Sequence, residues 1–356
     1  MAIMTVLGPI APAQLGVTLA HEHCFIDLRN QYSEPVDIER RALGRSELSL
    51  ANAGILRRNP YALRDNLLLE DLTVATNELQ FYAEAGGRSL VDCTSLGIGR
   101  DPLGLKLLAR ATNINIIAGC GYYTADTHPP KMNVWDFDDL AQDMYYDLTR
   151  GMEGTTVRAG VIGEIGTSWP IHSNEIKCLK AAAQVQLVTG TAIYVHCYPW
   201  GTGGLQALEI LCTAGVKANK IVICHADVAL DLHYIRNLLR EGVYVEFDNF
   251  GKEFYIDAPD RGFAGGIFAR DIERVRTIKK LIDDGYLYQL LISNDICLKS
   301  MLHTYGGWGY DHILAHIVPM LREARVLEDQ VWEMLINNPA RVLDSKLVEM
   351  PAESAT

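Results

Sequence analysis

Five separate β-like runs of this chain end on a side chain of the kind that binds metals. Val17-Thr-Leu-Ala20 leads into His21-Glu-His23, and Ala159-Gly-Val-Ile-Gly163 into Glu164. Ala192-Ile-Tyr-Val195 leads into His196, Ile221-Val-Ile-Cys224 into His225, and Leu290-Leu-Ile-Ser-Asn294 into Asp295. One such ending carries no information. Five describe parallel strands whose carboxyl ends share a rim, with imidazoles and carboxylates converging on one point.

The intervening sequence fits that arrangement. Eight β-rich runs occur at 16–21, 88–93, 114–119, 159–164, 191–196, 220–225, 242–247 and 289–294. Most are almost continuously apolar, as strands buried on both faces should be. Clear helical segments at 66–86, 174–189, 204–214 and 270–284 lie between them, and Gly86, Gly190, Gly215, Gly242 and Gly285 mark helix stops. Glu164 and His196 are 32 residues apart and His196 and His225 are 29 apart, each step one βα unit. Eight such steps predict an α/β chain closed into a (β/α)8 TIM barrel, one domain over 1–350 with a disordered tail at 351–356. An open doubly wound sheet is the alternative, but it gives no reason for ligands on strands one, four, five, six and eight together.

Segments 28–65, 120–135 and 248–268 follow strand carboxyl ends and predict long loops at the catalytic rim. The last two read as substrate walls, with Tyr122, Tyr123 and His128 in one and Lys252, Phe254, Tyr255, Arg261 and Phe263 in the other. Segment 28–65 reads equally as surface elaboration or a subunit contact. Residues 311–345 predict two helices packed outside the barrel.

Composition removes several classes of function. A net charge of −12 without a basic run argues against nucleic acid and anionic membranes as partners. No stretch approaches the ~20 apolar residues of a membrane span, and Met1–Ala13 lacks the basic and apolar regions of an export signal. The expectation is a cytoplasmic protein with reduced thiols. Its eight cysteines form no C-x-x-C pair. Cys24, Cys197, Cys224 and Cys297, beside the ligand positions, therefore read as small buried hydrophobes.

Residues i and i+2 of a strand face the same way, so His21 and His23 point together into the barrel mouth and Glu22 turns away. His21, His23, Glu164, His196, His225 and Asp295 are six ligands, more than the three a catalytic zinc takes. Two divalent ions are the expectation. Imidazole and carboxylate suit zinc first, with manganese, cobalt, nickel and iron(II) as alternatives. One site would hold His21, His23 and Asp295 and the other His196 and His225, bridged by Glu164 on strand four. Two such ions can share a hydroxide at neutral pH. Asp295 would orient it and carry its proton to the leaving group. No G-x-S-x-G elbow and no phosphate-binding G-x-x-x-x-G-K-[ST] loop competes.

Ala20-His-Glu-His23, Gly163-Glu-Ile-Gly166, His196, Ile223-Cys-His-Ala-Asp227 and Ser293-Asn-Asp295 together resemble the phosphotriesterase family of the amidohydrolase superfamily, closest to its phosphotriesterase-related, or homology-protein, branch. Gly119-Cys-Gly-Tyr-Tyr123, Tyr305-Gly-Gly-Trp-Gly-Tyr310 and Asn338-Pro-Ala-Arg-Val-Leu343 extend the likeness over nearly the whole chain. The resemblance implies a binuclear metallohydrolase, often a homodimer, with the same two ligand groups. It implies a glutamate bridge at Glu164 where many members use a carboxylated lysine, and a metal-facing tyrosine at Tyr123. The second acid of the organophosphate-degrading members is not matched, since that neighbourhood reads Asp227-Val228. Their strand-seven loop histidines are replaced by Lys252 with Arg261 or Arg270. The expected reaction is cleavage of a small carbonyl substrate, an amide or a lactone or carboxylic ester, carrying an anionic handle for Lys252, Arg261 and Arg270. Phosphotriester hydrolysis and a non-catalytic metal-binding barrel are the alternatives.

Overall fold

The apolar runs become strands that lie side by side in chain order. In the computed structural model, which describes residues 2–257 and 266–345, these are β1 (Thr18–Glu22), β2 (Ser89–Asp92), β3 (Asn115–Cys120), β4 (Val161–Thr167), β5 (Ile193–Cys197), β6 (Ile221–Ile223), β7 (Tyr244–Phe247) and β8 (Leu290–Ile292). The expected tail at 351–356, and Arg261 and Phe263 of the strand-seven loop, lie outside the described residues. Every neighbouring pair from β1 to β8 is parallel, for example Val222 with Tyr194 and Val245 with Leu290. The ring meets at β1 and β8. Asp295 N donates to His21 O at 3.1 Å, and the Ser293 hydroxyl both accepts from His21 N at 3.1 Å and donates to His21 O at 2.7 Å.

Glu22 locks this seam. It turns away from the mouth as expected, but is wholly buried, not solvated. Its carboxylate accepts from the backbone of Asn294 and Ile296, each at 2.9 Å, and from the Asn294 side-chain amide at 3.0 Å. A carboxylate with that many donors is stable in the interior because its hydrogen bonds replace those of water.

Between the strands run α1 (Leu72–Glu84), α2 (Pro102–Thr112), α3 (Phe137–Thr149), α4 (Ser173–Thr189), α5 (Gly203–Thr213), α6 (Leu232–Arg240) and α7 (Asp271–Asp283). Asp71, Asp101, Asp136 and Asp231 cap α1, α2, α3 and α6, each side chain accepting from first-turn amides that have no partner within the helix. The apolar faces of α2, α3 and α6 pack against the sheet, and that packing stabilises all three.

Ala20, Val91, Ile117, Val161, Tyr194, Val222 and Leu291 fill the barrel's centre. Ile3 and Leu15, from the amino-terminal hairpin region, belong to the same cluster and close the end away from the rim. A larger apolar layer lies between strands and helices. Helical residues 313–323 and 328–343 pack outside, as expected. No helix among the described residues is long and apolar enough to cross a membrane.

Candidate metal centre

All six expected ligands meet at the rim, and Glu164 is at their middle. Its Oε1 lies 3.6 Å from His23 Nε2. Its Oε2 lies 3.2 Å from His225 Nε2, 3.3 Å from His196 Nδ1 and 3.6 Å from His21 Nε2. One oxygen thus faces His23 and the other faces His21, His196 and His225, so the carboxylate touches both ligand groups, as a bridge needs. Asp295 Oδ1 closes the other side, 3.1 Å from His23 Nε2 and 4.0 Å from His21 Nε2. Ligand-type atoms of His21, His23 and Asp295 lie within 4.8 Å of one another, and so do those of His21, Glu164 and His225.

The backbone shows what placing these groups requires. His225 and Asp295 leave their strands with left-handed φ of 61° and 48°. Such strain costs about 1–3 kcal/mol per non-glycine residue and persists where a side chain's direction matters more. His21 Nε2 is buried without a hydrogen-bond partner. A buried imidazole nitrogen facing two carboxylates and left unpaired fits a cation. The donor set, four imidazoles and two carboxylates, suits two borderline divalent ions.

Electrostatics supports the same reading. Burial opposes ionisation of Glu164, but His21, His196 and His225 outweigh it and hold the carboxyl well below its usual range. Burial likewise opposes a proton on His225, but Asp248 and Glu164 lift that ring to about 10. His21 is raised well above its ordinary value against the same burial penalty, with Glu164 and Glu246 among the charges responsible. The carboxylates therefore hold protons on nitrogens that a divalent ion would use, so metal binding displaces protons there.

Above the ligands opens a pocket with about 650 Å³ of empty volume. Ile26, Leu28, Tyr61, Trp200, Phe254 and Phe268 give it aliphatic and aromatic walls, and Gln31 and Asn249 add amides. Tyr123 lines it, its hydroxyl 3.2 Å from His196 Nδ1. Lys252 lines it too, and its buried ammonium contacts Asp295 Oδ2 directly. The charge of Lys252, with the His23 hydrogen bond, overcomes burial and holds the Asp295 carboxyl down at about 2.

Two other expected substrate contacts are placed elsewhere. Tyr122 turns its hydroxyl onto Asp143 under the Lys131 ammonium and is not among the pocket-lining residues. It is the neighbour of Tyr123 in an extended segment, so only one of the two rings can face the mouth. Arg270 is exposed at the start of α7, where its backbone N–H donates to Glu273 at 2.8 Å. Arg261 falls outside the described residues. His128 Nε2 pairs with Tyr123 O at 2.7 Å, and His172 caps α4. Segment 28–65 supplies Leu28, Gln31 and Tyr61 to the pocket, so part of it is a wall and not only surface.

The acid after the strand-six motif is also accounted for. Asp227 Oδ2 lies 2.9 Å from the buried Arg274 Nε, and its Oδ1 accepts from Asn249 Nδ2 at 2.8 Å. With both oxygens engaged it is a structural anion. Two carboxylates of β7 and the loop after it were overlooked in the sequence. Glu246 Oε2 is 2.9 Å from His21 Nδ1, and Asp248 Oδ2 is 3.1 Å from His225 Nδ1. The available signal was a Glu-x-Asp pair at a fully buried strand, where acids have no place without partners.

A (β/α)8 barrel with this ligand set at its carboxyl rim defines a metal-dependent hydrolase. The model of the phosphotriesterase family matches residues 1–343, and the chain belongs to that family. It is 35% identical over 353 residues to the N-acetyltaurine hydrolase of Danio rerio, covering 97% of this chain and 98% of that one. Among solved structures it is similar to a resiniferatoxin-binding protein from Rhodobacter sphaeroides, with TM-score 0.93, 35% identity, and 96% and 95% of the two chains covered. It is also similar to a lactonase from Listeria monocytogenes, with TM-score 0.77, 25% identity, and 97% and 99% covered.

Proposed function

We propose that the protein hydrolyses the amide bond of a small acylated substrate bearing an anionic group, using two divalent metal ions, zinc by preference. The observation that carries this reading is the pocket itself. Among its described lining residues Lys252 is the single lysine or arginine, set in apolar walls directly beside the metal ligands. An anionic handle near Lys252 leaves the scissile carbonyl over Glu164 and Asp295. The relative named N-acetyltaurine hydrolase supports an amide. The lactonase neighbour supports lactone opening as the second reading.

His21, His23 and Asp295 would hold one ion, His196 and His225 the other, and Glu164 both. The ions, when bound, supply Lewis acidity toward water and the substrate carbonyl. Asp295 takes the proton of the attacking water at its carboxylate and returns it to the leaving nitrogen. Asp295 is ionised throughout the neutral range. The Tyr123 hydroxyl, beside His196, faces the same cleft and can donate to the carbonyl oxygen. The aromatic walls exclude bulk water from that step.

A panel of N-acetyl amino acids, N-acetyltaurine, lactones and paraoxon decides the class. The anionic amides should show the highest kcat/KM. Paraoxon turnover above every carbonyl compound would overturn the ranking. Within the panel, Lys252→Met should raise KM for anionic amides by about 10- to 100-fold, the worth of one charge-assisted hydrogen bond. A neutral ester of similar size should show little change in KM, while kcat falls for both substrates because Lys252 contacts Asp295 directly. Equal rises in KM on both would remove Lys252 as the anchor.

Glu164 is itself a carboxylate, so no carbon dioxide is needed to build the bridge. Metal loading of apoprotein should therefore be the same in bicarbonate-free and bicarbonate-rich buffer. A strong bicarbonate requirement would contradict the bridging role.

A further inference from the structure

β7 contributes no metal ligand, yet its carboxyl end carries Glu246 and Asp248 into the barrel interior, two residues apart and therefore on one side of the chain. Both are fully buried. We propose that they are positioning residues, a carboxylate floor that sets the ring tautomers of His21 and His225 and ties the two metal sites together from behind. The inference rests on the two-metal reading of the site.

Glu246 Oε2 is 2.9 Å from His21 Nδ1. Asp248 Oδ2 is 3.1 Å from His225 Nδ1 and 3.5 Å from His21 Nδ1, both ion-pair approaches outside hydrogen-bond alignment, so one carboxylate lies behind a histidine of each proposed ion. In front of them, Glu164 faces the Nε2 atoms of the same two rings. A neutral imidazole has one N–H. Donated from Nδ1 to the floor, it leaves a lone pair on Nε2 aimed at the mouth; on Nε2 it would block ligation.

The floor is held firmly. Asp248 accepts from His225 N at 3.0 Å and from Asn249 Nδ2 at 2.5 Å. Glu246 has its Oε1 buried without a hydrogen-bond partner. Its one hydrogen-bonded oxygen is spent on His21. His21, Cys224, Glu246 and Asp248 also offer four ligand atoms within 4.8 Å of one another, which could hold a third ion. That ion would need the lone pair of His21 Nδ1, while Nε2 of the same ring is already directed at the mouth. The floor requires no such sharing.

The test is chelator competition for zinc on the wild type, Glu246→Gln, Glu246→Asp and Asp248→Asn. It is read beside nitrogen-15 spectra of the histidine rings in the zinc-loaded protein and thermal unfolding of the apoprotein. Asp248→Asn should weaken both ions by about 10- to 100-fold, the usual effect of losing an outer carboxylate. Glu246→Gln should weaken chiefly one, with partial recovery in Glu246→Asp. Wild-type spectra should show Nδ1 protonated on His21 and His225. Should Asp248→Asn not fold, Glu246→Gln decides: lower zinc affinity with unchanged apoprotein unfolding supports the floor. Two tight zinc ions in every variant, or spectra with Nε2 protonated, overturn it. Three zinc ions per wild-type chain, one of them lost in Glu246→Gln, replaces the floor by an ion site. A wild type that takes up no zinc overturns the two-metal reading, and the floor with it.

Discussion

Glu164→Ala should release both metal ions together and lower kcat/KM by about three orders of magnitude or more. The size follows because metal polarisation is worth several kcal/mol and each ~1.4 kcal/mol is a decade in rate. The joint loss follows from geometry, since one carboxylate oxygen faces His23 and the other faces His21, His196 and His225. Removing any single histidine takes a ligand from one group, whereas removing Glu164 takes a ligand from each. It also leaves several imidazoles gathered without their central anion. Elemental analysis of the variant, purified beside the wild type, is the check. Two tightly held ions per chain would refute the bridge.

Asp295→Asn should retain metal and lose turnover by about 10²- to 10⁴-fold, the usual worth of a positioned proton carrier. The amide keeps an oxygen toward His23 but cannot take a proton at neutral pH. The substitution has a second consequence. Asp295 and Lys252 are both buried and in direct contact, and breaking such a pair on one side costs about 3–5 kcal/mol. The apoprotein should therefore melt earlier than wild type. Lys252→Met added to Asp295→Asn removes the stranded ammonium and should recover much of that stability, but none of the turnover. Full activity in Asp295→Asn would end the proton-transfer assignment. Lost turnover accompanied by lost metal would make Asp295 a ligand only.

The barrel and the six metal-type side chains at its rim were legible because both are written in local pattern. A strand buried on two faces has to be apolar, so a His, Glu or Asp ending such a run stands out, and the runs alone count eight. The same locality explains what was missed. The pocket contacts depend on which way a loop residue turns, and Tyr122 and Tyr123 look alike until the backbone sends one to Asp143 and the other to His196. Lys252 is recognisable as a cation near the mouth, but its contact with Asp295 spans 43 residues and no pattern encodes it.

Glu246 and Asp248 mark the boundary most clearly. Their chain positions place them on a buried strand end, and physics then requires partners, but only closure of the barrel sets them behind His21 and His225. Glu22 is the parallel case, facing away from the mouth as alternation dictates and yet buried where β8 meets β1. Periodicity along the chain determined the eight strands, the parallel sheet and the six histidines and carboxylates at the rim, because each follows from which residues a buried strand tolerates. Tertiary structure alone decided the floor, the seam and the pocket walls. Those depend on distances between groups far apart in sequence, which exist only once the ring has closed.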